Sequence, residues 1–173
     1  MEYAELLAES AMHGRTGASV AVENMPIDGR EGRWGQTVEE MQVLIEAVTE
    51  QLIEKHGFTK KEASRYCGIT LDINHALTEH DGKDPAVIER WFTAFGDRLK
   101  AIHVYTPSLG KSGRKKQEFE AWFGEIAALY RQNHSHAVVY LESKKDAETT
   151  LAMHTFAQAA ALSPRTEQKR ETV

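Results

Sequence analysis

The chain has 173 residues and a net charge of −5, with 41% hydrophobic and 27% charged residues. This is the composition of a soluble globular chain long enough for a substantial core. The acidic balance argues against a nucleic-acid-binding surface, and no run approaches the ~18 apolar residues of a membrane span.

Residues 2 to about 13 read as a helix, with Tyr3, Leu6 and Leu7 apolar and Gly14 as its stop. Met1 to Ser10 is acidic and lacks the basic start of a signal peptide, so a cytoplasmic protein is expected. Ala18 to Glu23 is the first strand, followed by a loop with three glycines between Ile27 and Gly35. Thr37 caps the next helix and Glu40 completes a capping box. Met41, Leu44, Ile45, Val48 and Leu52 follow helical spacing, and Gly57 closes the element. Thr59 to Arg65 reads as a short polar segment leading into the strand that ends at Asp72. That strand holds Cys67, the single cysteine, which cannot form an internal disulfide and reads as a small buried hydrophobe.

After a loop over Glu79 to Lys83, Asp84 caps a helix with Pro85 at its first position. Ile88, Trp91, Phe92 and Phe95 form its apolar stripe, and Gly96 ends it. Leu99 to Val104 is the third strand and Tyr105 to Lys116 a loop. Phe119, Trp122, Phe123, Ile126 and Tyr130 stripe the next helix. Ala137 to Glu142 is the fourth strand and Ala147 to Leu162 the last helix. The expected domain covers residues 1–162, and the polar tail 163–173 is expected to be disordered.

Strands alternating with helices imply an α/β fold of parallel strands joined by right-handed crossovers. Each apolar run stops at a residue able to bind a metal or move a proton: Glu23, Asp72, His103 and Glu142. One such residue at a strand end is ordinarily the first solvated position; four in four is harder to dismiss. Parallel strands would bring all four to the C-terminal edge, where ligands bind in α/β folds. Two glutamates, an aspartate and a histidine form a hard mixed O/N donor set suited to Mn²⁺, Mg²⁺ or Zn²⁺. Such an ion could polarise a carbonyl while two carboxylates exchange protons at the adjacent carbon. Lys111, Arg114, Lys115 and Lys116 form a basic loop near the same edge. Lys111 and Arg114 could clamp a substrate phosphate, although a solvated loop is the plainer reading.

Four segments carry a family resemblance: Val20-Ala21-Val22-Glu23-Asn24, Leu71-Asp72-Ile73-Asn74-His75, Ile102-His103-Val104 and Tyr140-Leu141-Glu142. In order and spacing they resemble the last four strands of the xylose isomerase-like TIM-barrel superfamily, over about residues 1–160. That superfamily includes sugar isomerases and epimerases and the apurinic-site endonucleases. The resemblance implies four (β/α) units forming the C-terminal half of a TIM barrel. It implies Glu23, Asp72, His103 and Glu142 as ligands of one divalent metal. Glu23 and Glu142 would also be the catalytic acid/base pair, and His75 a substrate contact. The expected activity is metal-dependent isomerisation or epimerisation of a sugar, once a second copy in a homodimer, or a separate N-terminal half, completes the barrel.

The sequence departs from the family after His103. Val104-Tyr105-Thr106-Pro107-Ser108-Leu109-Gly110-Lys111 lacks the Asp-x-His ligands of the multi-zinc endonucleases. An endonuclease-type phosphodiesterase therefore ranks behind sugar chemistry, as does binding of nucleic acid. A non-catalytic half-barrel remnant is the alternative from outside enzymology.

Overall fold

A computed structural model describes residues 2–13, 19–27, 34–78, 85–105, 124–133 and 136–142. Helix α1 (Glu2–His13) precedes strand β1 (Val20–Glu23), helices α2 (Val38–His56) and α3 (Lys60–Tyr66), and strand β2 (Cys67–Asp72). The short helix α4 (Ile73–Leu77), helix α5 (Pro85–Phe95) and strand β3 (Leu99–Tyr105) follow. A helix over residues 124–132 (α6) and strand β4 (Val138–Glu142) complete the described elements. The expected helix over 147–162, the polar tail and the basic loop lie outside the described residues. No helix among the described residues is long and apolar enough to cross a membrane.

Local chemistry sets the helix bounds. The Thr37 hydroxyl accepts from the Glu40 amide, which starts α2. The Glu40 carboxylate reaches back one residue further than a capping box requires and accepts from the Gln36 amide at 3.0 Å. Gly57, at φ 67, ends the helix; its amide donates to the Ile53 carbonyl and the Phe58 amide to the Leu52 carbonyl. The polar segment before β2 is itself helical. Thr59 and Glu62 form a reciprocal capping box, and that pair was the overlooked signal for α3. In α1 the buried stripe is Ala4, Ala8 and Ala11, while Leu6 is exposed. Small residues at that spacing let α1 lie close against α2, with Lys55 and Glu5 forming an ion pair beside the contact.

The sheet order is β1-β2-β3-β4, all parallel. Paired residues share a face, and faces alternate along each strand. One face carries Val20, Val22, Ile69, Leu71, Ile102, Val104 and Val139, which belong to or pack against the core formed with α2 and α5. Trp91 and Phe92 are fully buried there, each contributing roughly 2–3 kcal/mol of burial. Cys67 also lies in this core as a free thiol, which burial pushes up to about 11. At neutral pH it is an uncharged hydrophobe. The opposite face carries Ala21, Glu23, Thr70, Asp72, Ala101, His103, Val138 and Tyr140. Its β4 end is open, with Val138 55% and Tyr140 52% exposed.

The N-terminal edge of the sheet is tied to the helices by cations. Arg98 donates to the Thr49 and Ser64 hydroxyls, and the Lys100 ammonium to the Ser64 and Asp97 carbonyls. Burial lowers the Lys100 pKa. The register shifts here: Ile69 pairs with Leu99 but Thr70 with Ala101, leaving Lys100 as an extra residue. Gly68 lies beside this irregularity, and a Cβ on it would meet the Arg98 carbonyl oxygen at 2.1 Å. Gly68→Ala should therefore cost about 3 kcal/mol, because backbone must move. Gly57→Ala meets no neighbour within 4 Å and should cost only the left-handed strain, about 1 kcal/mol. Urea denaturation of both variants checks this; equal losses would contradict the close approach at Gly68.

Candidate metal centre

Parallel pairing brings three of the expected residues to one place. Glu23 is the last residue of β1 and Asp72 the last of β2; Asp72 pairs with His103 of β3. One ligand atom from each of Glu23, Asp72 and His103 lies within 4.8 Å of the other two. The His103 Nδ1 is 3.7 Å from Glu23 Oε1, and its ring packs edge-on against Tyr140 at 5.4 Å. Asp72 is buried, whereas Glu23 and His103 are partly open. The cluster thus has one anchored carboxylate and two side chains facing the open side of the sheet.

His75 joins the cluster from α4. Its Nδ1 is 3.8 Å from Glu23 Oε1 and 3.8 Å from Asp72 Oδ2. Asp72 also caps α4: its Oδ1 accepts from the His75 amide at 2.9 Å, leaving Oδ2 toward the cluster. Glu142 ends β4, where its backbone pairs with Tyr105, but its side chain lies outside the described residues. Lys111 and Arg114 are likewise outside them.

Sequence reasoning quoted Asn24 within the first motif and gave it no role. The structure buries it completely. Its Oδ1 accepts from the Asp72 amide at 2.6 Å, and its Nδ2 donates to the Asp72 carbonyl at 3.1 Å. Its own amide donates to the Thr70 carbonyl at 3.3 Å, and its carbonyl is 2.9 Å from the His75 Nδ1. The only advance signal was an amide side chain directly after a carboxylate at a strand end. The neighbouring loop is pinned as well. The Ile27 amide donates to the Thr78 hydroxyl, which donates to the His75 carbonyl, and the Met25 amide donates to the Gly35 carbonyl.

The donor chemistry fits a divalent cation. Among the described residues, two carboxylates converge with imidazoles and with no Lys or Arg ion pair to either. Two like charges this close repel unless a cation or a proton joins them. Oxygen donors plus one imidazole, with no thiolate, match Mn²⁺, Mg²⁺ or Zn²⁺.

The dual use of Asp72 gives a direct test. Asp72→Asn keeps an oxygen that can accept from the His75 amide and removes one of two adjacent charges. Its metal-free stability should stay within about 1 kcal/mol of the parent. Asp72→Ala loses the cap and should cost at least about 1 kcal/mol. A metal-free urea titration that ranks Asp72→Asn at or below Asp72→Ala would contradict this account of the carboxylate. The chain matches no protein-family model, curated protein or solved structure.

Proposed function

We propose that Glu23, Asp72 and His103 hold one divalent cation, with Glu142 completing the set. On this reading the chain supplies half of a xylose isomerase-like (β/α) barrel that isomerises or epimerises a sugar. The observation that carries the reading is the convergence of the three donors at the C-terminal edge of a parallel sheet. Two further features support it. Strands that follow one another in sequential order, with one face buried against helices, are what a singly wound barrel needs. The cluster also sits on the opposite face, the one that a closed barrel would turn inward.

A bound divalent ion would supply Lewis-acid polarisation of the substrate carbonyl and its neighbouring hydroxyl. The protein residues do the rest. Glu23 is partly exposed, and its carboxylate is free to take the proton from the carbon beside the carbonyl. Glu142 is the proposed partner that returns a proton to the other face or to the neighbouring carbon. His75 sits beside both carboxylates and would contact a substrate hydroxyl. Lys111 and Arg114 would hold a phosphate if the sugar carries one. Four strands cannot close a barrel, since closure takes about eight. A second copy or a separate N-terminal half would complete it over the open face at Val138 and Tyr140.

Proton transfer at carbon is read out by solvent exchange. With Mn²⁺ in D₂O, the protein should place deuterium at a carbon-bound position of its ketose or aldose substrate. Glu23→Gln and Glu142→Gln should each slow that exchange by about 10²-fold or more. Mass spectrometry across a panel of sugars and sugar phosphates checks this. Turnover with no deuterium gained would remove the acid/base roles, and cleavage of abasic-site DNA without sugar turnover would favour the phosphodiesterase.

A further inference from the structure

The hydrogen bonds of Asn24 reach Asp72 and His75 directly. Asn24 follows Glu23 directly in the chain. Its carboxamide pairs with both backbone groups of Asp72, as one more rung of the β1–β2 ladder would. The rung is made by a side chain because β2 ends at Asp72 and the backbone then turns into α4. Asp72 therefore cannot swing with α4, and its carboxylate stays divided between the His75 amide and the cluster.

The main-chain carbonyl of Asn24 does a second thing. A carbonyl oxygen only accepts, so the 2.9 Å contact with His75 places a proton on Nδ1. The neutral ring then carries its lone pair on Nε2. A carbonyl bonded to one ring nitrogen in this way fixes the tautomer and direction of a histidine.

We infer that Asn24 is the positioning residue of this site: its side chain locks Asp72 at the end of β2, and its carbonyl holds His75 in the Nδ1–H tautomer beside the Glu23 and Asp72 carboxylates. The inference deepens the metal-centre reading and rests on it for affinity, but not for tautomer or backbone order. Asn24 is fully buried, and its polar atoms bond to Asp72, Thr70 and His75, so it acts through them. Its complete burial and paired bonds leave no room for another amide geometry. Removing the carboxamide leaves the Asp72 amide and carbonyl without partners in a dry setting.

Two measurements on the full chain test it. In the metal-free protein, with the ring neutral, long-range ¹H–¹⁵N correlation should show His75 as the Nδ1–H tautomer. The Asp72 amide should be among the slowly exchanging amides of β2. An Nε2–H tautomer, or an Asp72 amide that exchanges like a loop amide, would overturn the inference without any metal. The second measurement titrates Mn²⁺ into the parent and Asn24→Ala, well below the melting temperature of each. Affinity should fall by about 10- to 100-fold in the folded variant, with Asp72 amide protection lost. Unchanged affinity in a folded Asn24→Ala would also overturn it. A parent that takes up no Mn²⁺ while keeping the tautomer and the protected amide would sink the metal reading and leave Asn24 as the organiser of Asp72 and His75.

Discussion

Parallel pairing in sequential order is the constraint on which the rest of this structure depends. Each strand runs the same way, so each apolar run delivers its final residue to the same edge. The β2–β3 register puts Asp72 level with His103, and the β1–β2 register puts Glu23 two residues behind Asp72 on the same face. The 3.7 Å approach of His103 Nδ1 to Glu23 Oε1 follows from that register, and α4, starting directly after Asp72, adds His75 at 3.8 Å from both carboxylates. A one-residue slip would send these side chains to the helix-covered face. The pairing is therefore the common cause of the hydrophobic layer and of the cluster.

The two edges of the sheet are built differently. At the N-terminal edge, half-buried cations find carbonyls and hydroxyls, and a glycine allows backbone to approach backbone. Arg98 and Lys100 there bond to Thr49, Ser64 and Asp97, and the result is adhesion between strand and helices. At the C-terminal edge, carboxylates face one another and lean on histidines. Such an arrangement opposes folding unless something positive joins it. Asn24 and Asp72 hold it in place by satisfying backbone groups, so rigidity at this edge comes from amide hydrogen bonds rather than from charge.

Much of the fold was legible in the sequence because its signals are local. Thr37, Gly57 and the Met41–Leu52 periodicity bound α2, and β-branched runs mark the strands. The polar stretch before β2 was misjudged because Thr59–Glu62 caps a helix only seven residues long, too short to show a hydrophobic period. In α1 the eye goes to leucine, yet close helix packing selected the alanine stripe. Of the site, Glu23, Asp72 and His103 could be found because each ends or nearly ends an apolar run. Asn24 could not, since its role depends on a partner 48 positions away in the chain. Nothing local reveals that an amide will complete another strand's ladder.

The central claim is that Glu23, Asp72 and His103 together hold one divalent cation. Crystals of the full chain grown or soaked with Mn²⁺ test it most directly, by anomalous difference density. The account predicts one strong peak between the three side chains, at ~2.0–2.2 Å from a carboxylate oxygen of each acid and from a ring nitrogen of His103. Density confined to other parts of the molecule, with the three side chains unchanged at millimolar Mn²⁺, would contradict it.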